Sequence, residues 1–336
     1  MSPRSRSSIR TTITLIFILI VAIAGILYIT TGNDYLGLFI VTETPLPFTP
    51  TNTLPASFPN TSGMPGWWEV YFTDPLAVND PQNYINSIEQ VLIDKINAAQ
   101  VSIHIISFEF DLTPVAEALI AARQRGLDVR WVTDDENGLE ADSEPEGGQF
   151  ALLTEAGIQV RSDDRSALMH DKFWIFDGET VWTGSTNITV NGIFEQNNNV
   201  IVIHSPEAAA MYEREFQEMW DGQFGPTSPS TLEQQSVIVD GTPIHVLFSP
   251  EDGVVDRIIS FVQGAQTSIR FLAFSFTDYP LADAMRQRAA AGVDVAGVFE
   301  KVGSETEAAE LDTLYCARIP VRQDGNGGFM HDKAII

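Results

Sequence analysis

The stretch HDKFWIFDGETVWTGSTN, residues 170–187, combines two strand-like segments with several polar side chains. The segment KFWIFD is apolar and aromatic, which favours a β-strand, and DGET predicts a turn into a second strand. Because side chains two positions apart lie on the same side of a strand, His170 and Lys172 should point in one direction. The second strand ends near Ser185 and Asn187, at the same edge. We therefore expect an imidazole, an ammonium and two neutral polar groups to lie close together.

The surroundings of this stretch occur twice in the chain. The tetrapeptide MHDK stands at residues 169–172 and again at residues 330–333. The β-branched and aromatic run VSIHIISFEF at 101–110 is matched by TSIRFLAFSF at 267–276, an offset of 166 positions. A repeat at nearly constant spacing indicates a duplicated structural unit.

Helical and strand-like segments alternate before the first MHDK. Apolar spacing and composition predict a helix over 84–99, a strand over 101–110, a helix over 113–125 capped by Thr113, and a strand over 127–135. This alternation predicts an α/β fold of duplicated mixed β-sheet units flanked by helices. The active site is expected between the two halves.

The N-terminal segment predicts that the rest of the chain is exported. Arginines at positions 4, 6 and 10 precede an almost unbroken apolar run from Ile13 to Ile29. This run is about long enough to cross a bilayer as a helix, and the arginines would remain on the cytoplasmic side. We expect a single membrane anchor with the catalytic domain outside the cytoplasm. The alternative is a secreted protein with a signal peptide cleaved near residues 22–24.

Composition divides the chain into five predicted segments. Pro, Thr and Ser are abundant after the apolar segment and again between the two copies of the repeat, which is typical of linkers. The predicted segments are an anchor or signal at 1–31, a linker at 32–65, a first domain at 66–222, a linker at 223–242 and a second domain at 243–336.

Charge and cysteine content exclude several classes of protein. The formal net charge is −26, which argues against broad wrapping of nucleic acid, since phosphate neutralisation needs a surface rich in Lys and Arg. A small positive pocket is compatible with this charge. Cys316 is the only cysteine in the sequence, which excludes a disulfide framework and a cysteine zinc cluster.

The residue types in the repeated motif suit displacement at phosphorus. Histidine titrates near neutral pH and can act as a nucleophile or as a general acid or base. Lysine offers a compact positive charge and three donors for a phosphate oxygen. Two copies that face each other would supply a nucleophile on one side of the phosphorus and a proton donor on the other.

The sequence resembles the phospholipase D superfamily, whose mark is a duplicated H-x-K-x4-D motif followed by G-S and N. The resemblance covers the chain from about residue 65 to its end. Many members have a glutamate near the position where Asn199 stands here. The matching residues are His170, Lys172, Asp177, Gly184, Ser185 and Asn187 in the first motif and His331 and Lys333 at the start of the second.

The resemblance implies a covalent mechanism that needs no metal and no other cofactor. One histidine attacks phosphorus and forms a phosphohistidine, while the other protonates the leaving alcohol and then activates water. By similarity, the attacking residue is expected to be His170. The implied catalytic residues are His170, Lys172, Asp177, His331 and Lys333, and Ser185 and Asn187 are implied to bind the substrate phosphate.

The predicted function is that of a phospholipase D-type phosphodiesterase acting on phospholipid at a membrane surface. Such an enzyme would hydrolyse a glycerophospholipid, for example phosphatidylcholine to phosphatidate and choline. One alternative is an exported endonuclease of the same superfamily, with nucleic acid as its substrate. Another is a non-catalytic module that binds phosphodiesters. The oligomeric state is left open.

The second motif lies at the end of the given sequence. Lys333 is followed by Ala334, Ile335 and Ile336, so the aspartate that matches Asp177 would fall two positions after the last residue. We expect the sequence to be a piece of a longer protein.

Overall fold

The computed structural model describes residues 66–143, 147–230 and 235–336. The predicted anchor or signal at 1–31 and the predicted linker at 32–65 lie outside these residues. All described residues belong to one compact unit.

A seven-stranded mixed sheet forms the centre of the first half. Its strands are β1 (Trp68–Phe72), β2 (Ser102–Ser107), β3 (Asp128–Thr133), β4 (Gln159–Ser162), β5 (Lys172–Phe176), β6 (Thr180–Gly184) and β7 (Asn199–His204). They lie side by side in the order β1-β7-β6-β5-β2-β3-β4. β2, β3 and β4 run parallel to one another, whereas the pairs β2–β5, β5–β6, β6–β7 and β7–β1 are antiparallel. The predicted mixed sheet is therefore confirmed.

Helices cover both faces of this sheet. Trp174 and Phe176 of β5 belong to the core under the first three helices, and Phe173 and Ile175 belong to the core under the fourth. β5 is thus buried on both faces, which explains why its sequence is continuously apolar instead of alternating. The helices are α1 (Ile88–Ala98), α2 (Thr113–Gln124) and α3 (Gln149–Glu155) on one face and α4 (Pro206–Trp220) on the other.

The segment predicted as a second linker, 223–242, overlaps a β-hairpin. Its strands are β8 (Ser236–Val239) and β9 (Thr242–His245). The turn residues Asp240 and Gly241 adopt positive φ angles of 48° and 78°. An Asp-Gly pair between short strands is a local hairpin signal, which the polar composition of the surrounding segment masked.

The second half repeats part of the first sheet. Its elements are α5 (Val254–Gly264), β10 (Ser268–Ala273), α6 (Tyr279–Ala290), β11 (Asp294–Phe299), α7 (Leu311–Cys316), β12 (Val321–Gln323) and β13 (Lys333–Ile335). The strands have the order β12-β11-β10-β13, which matches β4-β3-β2-β5. Ser107 lies opposite Lys172, and Ala273, which is 166 positions after Ser107, lies opposite Lys333. The predicted duplication is confirmed down to strand register.

Element boundaries differ from the predictions by a few residues. α1 begins at Ile88 because Ser87 caps it: the Ser87 side chain accepts a hydrogen bond from a backbone N–H three residues later, at 3.3 Å. Thr113 was expected to cap α2 but is its first helical residue, and Leu112 holds the cap position without a side-chain hydrogen bond. β2 ends at Ser107, three residues before the predicted end.

Candidate active site

Each MHDK segment ends on the first residue of one of two equivalent strands, β5 and β13, and the second segment is attached to the first half. The Asn197 N–H donates to the Phe329 backbone oxygen at 2.9 Å, and the His331 N–H donates to the Asn197 backbone oxygen at 2.8 Å. Asn197 and Met330 form an isolated parallel bridge. The run of three asparagines at 197–199, which leads into β7, therefore holds the second motif against the first half.

The two histidines have matching aromatic neighbours. The ring of His170 packs edge-on against Phe108, with centroids 4.7 Å apart. The ring of His331 packs in the same manner against Phe274, with centroids 4.6 Å apart. Phe108 and Phe274 are 166 positions apart, so the contact belongs to the duplicated unit.

The two lysines also occupy matching positions. Lys172 Nζ donates to the backbone oxygen of His170 at 2.9 Å, and Lys333 Nζ donates to that of His331 at 2.7 Å. Burial lowers the pKa of Lys172 to about 8, against the opposing effect of nearby carboxylates. Burial, followed by the charge of Lys172, lowers the pKa of Lys333 to about 7. The two ammonium groups therefore act on one shared site.

Asn198 supplies the polar partner of His331. Nδ1 of His331 lies 2.9 Å from Oδ1 of Asn198 and 3.1 Å from the backbone oxygen of Ser185. Both neighbours are acceptors, since the Asn198 amide group donates to the backbone oxygen of Gly192 at 2.9 Å. Nδ1 therefore carries a proton, and the free lone pair of neutral His331 is on Nε2. The glutamate that many members of the resembled family have lies near Asn199, one position later.

The site lowers the pKa of both histidines. Partial burial, followed by the charges of Lys172 and Lys333, lowers the pKa of His170 to about 4. Burial, followed by the charges of Lys333, Lys172 and His170, lowers the pKa of His331 to about 3. Each histidine thus responds to the lysine of the other half. Both imidazoles are neutral at pH 7, and Lys172 supplies most of the positive charge of the site itself, because its pKa is the higher of the two lysines. An anionic phosphodiester favours the protonated form of Lys333 as well.

Ser185 lies beneath the second histidine, as part of its support. Its hydroxyl is 2.8 Å from Oδ1 of Asn198 and 2.9 Å from Oδ1 of Asn199. Its backbone oxygen accepts from the ring of His331. The structure therefore places Ser185 in contact with the groups that orient His331, with its hydroxyl already engaged.

Asn187 lies beside a carboxyl group that the sequence analysis did not single out. Its Nδ2 donates to Oε2 of Glu109 at 2.8 Å. Burial raises the pKa of Glu109, while the charge of Lys172 acts to lower it. Glu109 lies two residues after the end of β2 at Ser107. The matching position of the second half, 166 residues later, is Ser275. Because only one copy has this carboxyl group, the repeat could not reveal it.

Asp177 does not contact the histidines. Its carboxylate accepts hydrogen bonds from the backbone N–H groups of Gln100, Val101 and Ser102 at 2.7–3.1 Å. It follows the far end of β5, about 16 Å along the strand from Lys172 at about 3.3 Å per residue. We therefore correct its expected catalytic role: Asp177 joins the turn after β5 to the connection between α1 and β2.

The sequence comparisons each match less than half of the chain. A family model described as "Cardiolipin synthase, PLD-like domain" matches residues 92–220. The mitochondrial cardiolipin hydrolase of Homo sapiens is 36% identical over 137 residues, which are 40% of this chain and 52% of that protein. The protein of the same name from Mus musculus is 34% identical over 145 residues, 43% of this chain and 62% of that protein. The matches thus span little more than half of these relatives.

A solved structure supports the fold over more of the chain. The phosphatidylserine synthase of Haemophilus influenzae superposes with a TM-score of 0.55 and 14% identity, and the superposition covers 77% of this chain and 76% of that one. At this identity the likeness concerns the fold alone. It agrees with the duplicated α/β architecture described above.

The predicted localisation is contradicted. The relatives that match the chain are named as mitochondrial proteins, which disagrees with a catalytic domain outside the cytoplasm, whether anchored or secreted. Among the described residues, no helix combines the length and apolar character needed to cross a membrane. The apolar segment on which the prediction rested lies outside those residues.

Proposed function

We propose, from the premise that this chain belongs to the phospholipase D superfamily, that it hydrolyses the phosphodiester bond of a glycerophospholipid. One observation supports the proposal: the ring of His331, in the second motif, lies 3.1 Å from the backbone oxygen of Ser185, which follows the first motif, so the two His-x-Lys motifs lie beside each other. Two imidazoles and two ammonium groups around one anionic phosphorus are the groups that a double displacement requires.

In the proposed first step, Nε2 of His170 attacks phosphorus and the bond to the leaving oxygen breaks. His331 in its protonated form gives its Nε2 proton to that oxygen, which leaves as an alcohol. Lys172 and Lys333 neutralise the non-bridging phosphate oxygens. The product of this step is a phosphohistidine at His170 and a neutral imidazole at His331.

In the proposed second step, water attacks the phosphohistidine. Nε2 of neutral His331 takes a proton from the water, the P–N bond to His170 breaks, and phosphatidate leaves. Both histidines then return to their starting forms, so no proton or electron is left over. Asn198 supports both steps, because its Oδ1 accepts from Nδ1 of His331 and keeps Nε2 available for the transferred proton.

Protonation of His331 requires help from the substrate. Its pKa of about 3 reflects burial and three positive or potentially positive neighbours. A bound phosphodiester supplies a negative charge among those neighbours, which favours the imidazolium form. We therefore propose that substrate binding and protonation of the general acid occur together.

The proposed substrate is a phospholipid with a glycerol-linked phosphodiester, and cardiolipin is the first candidate. The relatives are named for hydrolysis of cardiolipin. Phosphatidylcholine, the substrate expected at first, has the same reacting group and is the second candidate. The formal net charge of −26 disfavours the nuclease alternative, because repulsion would oppose a long polyanion more than a single head group.

The test compares lipid and nucleic acid substrates with one preparation of the full chain. Vesicles containing cardiolipin or phosphatidylcholine are incubated with wild type, His170→Ala and His245→Ala, and phosphatidate is measured. We expect release by wild type and His245→Ala, whose exposed histidine lies on β9, and none by His170→Ala. Cleavage of DNA without any release of phosphatidate would overturn the phospholipid assignment. Absence of turnover of lipid, DNA and a p-nitrophenyl phosphodiester would overturn the enzyme assignment.

A further inference from the structure

Three aspartates outside the repeated motifs lie together at one edge of the first sheet. Asp134 and Asp135 follow β3, and Asp163 follows its parallel neighbour β4. Each can place a carboxylate oxygen within 4.8 Å of an oxygen of the other two. Asp134 is 1% exposed and Asp163 is 5% exposed. Because parallel strands end at the same edge, the fold itself creates this cluster.

Neutral groups orient these carboxylates without balancing their charge. Asp134 accepts from the backbone and side-chain N–H groups of Asn137 at 2.8 Å and from the backbone N–H of Met169 at 2.9 Å. Asp163 accepts from the backbone N–H of Asp135 at 3.1 Å. No ion pair among the described residues reaches any of the three aspartates. Like charges at this separation disfavour the arrangement unless a positive group joins it.

Asp163 adds an observation that points to a ligand. Its Oδ2 is buried and has no hydrogen-bond partner within the part of the chain that the structure describes. Buried polar side-chain atoms in proteins are nearly always satisfied. A carboxylate oxygen that is buried beside two other carboxylates is a ligand that hard divalent cations prefer.

We propose that Asp134, Asp135 and Asp163 bind a divalent cation, Ca²⁺ or Mg²⁺, through their carboxylate oxygens. The site is distinct from the phosphodiesterase chemistry, which uses the histidines and lysines. Its role is to fix the backbone that leads into the first motif, because Asp134 also accepts a hydrogen bond from the N–H of Met169, the residue before His170. Water or backbone oxygens complete the coordination.

The test measures cation binding by the full chain directly. The protein is freed of metal with a chelator and titrated with Ca²⁺ or Mg²⁺ alone in a calorimeter, and its melting temperature is followed in parallel. The variant is Asp163→Asn, and the matched control is Asp164→Asn, an exposed neighbour whose side chain contacts Ser162. We expect one saturable site in wild type and in the control, with a rise in melting temperature. We expect at least tenfold weaker binding by Asp163→Asn.

Three outcomes would overturn the proposal. One is the absence of saturable binding of either cation at millimolar concentration. Another is equal binding by wild type and Asp163→Asn, which would place the cation elsewhere. A third outcome is that the carboxyl group of Asp163 is protonated instead of bound to a cation. The wild-type protein would then become more stable at acidic pH and would not respond to cations, which also overturns the proposal. Should Asp163→Asn fail to fold, Asp135→Asn, at the more exposed member of the cluster, provides the same comparison.

Discussion

The two halves of the site contain the same tetrapeptide but differ in how each histidine is held. The ring of His331 is buried and fixed by Asn198 and the backbone oxygen of Ser185. The side chain of His170 lies at the open side of the site, and among the described residues no hydrogen bond reaches its ring. A duplicated motif therefore produces one oriented imidazole and one accessible imidazole.

This difference bears on the proposed division of roles. A proton donor must point one nitrogen at the leaving oxygen, which requires a fixed ring, and the contact with Asn198 fixes the ring of His331. A nucleophile must reach phosphorus as the substrate arrives, and the accessible ring of His170 meets this need. The asymmetry supports the assignment that the family resemblance implied for His170.

The largest expected effect separates these roles by the choice of leaving group. Loss of either imidazole, in His170→Ala or His331→Ala, should lower kcat for phospholipid by about 10⁴-fold. With a p-nitrophenyl phosphodiester, whose leaving group needs no proton, His331→Ala should still release a burst of about one equivalent of p-nitrophenol, whereas His170→Ala should give no burst. Rapid-mixing kinetics measure the burst, since steady-state turnover of His331→Ala stays limited by the second step, which lacks its base. A burst with His170→Ala instead of His331→Ala would reverse the assignment.

A smaller effect is expected from the lysines, which act across the two halves. Lys333→Met should lower kcat/KM by about 10²-fold, because one positive charge on the phosphate is lost. The same change removes a positive neighbour of both imidazoles, so the pKa of His170 should rise from about 4 towards its ordinary value. NMR titration of the imidazole signals measures this rise. The exposed Lys301→Met serves as the control, and an unchanged or lowered pKa of His170 in Lys333→Met would contradict the coupling.

A change at Asn198 should act on one half alone. Asn198→Asp places a negative charge beside Nδ1 of His331, which stabilises the imidazolium and raises its pKa above about 3. Because His331 must be protonated to act as the acid, the alkaline limb of the kcat/KM profile should move to higher pH, while the pKa of His170 changes less. Asn199→Asp is the matched control because Asn199 does not contact the ring. A larger shift in the control would show that Asn199 is the functional partner.

The smallest effect on activity is expected at Asp177. Asp177→Asn replaces a carboxylate that accepts hydrogen bonds from three backbone N–H groups. The free energy of unfolding should therefore fall by about 2–3 kcal/mol. Since Asp177 lies at the far end of β5, kcat should stay close to that of wild type. Chemical denaturation and steady-state kinetics give the two values. The control is Asp240→Asn, which changes the same residue type before a glycine in a turn with positive φ. A large loss of kcat in a folded Asp177→Asn protein would restore its catalytic role.

The repeat and the residue types determined the fold and predicted the central residues of the site. A constant offset between the two strand runs predicted the duplicated sheets, and the structure has the same register in both. The spacing of His170 and Lys172 predicted that they would act on one side, because the geometry of a strand is local. Features of this kind depend on neighbours in the sequence, which is why they are visible in it.

Tertiary structure alone decided which groups support the histidines. The contact between Asn198 and His331 joins residues 133 positions apart, and no local pattern selects Asn198 from the run of three asparagines that contains it. Asp177 belongs to the motif by spacing, yet strand length carries it to the opposite end of β5. Spacing along the chain fixes residue order, whereas the distance between two side chains depends on how the strands and loops between them pack.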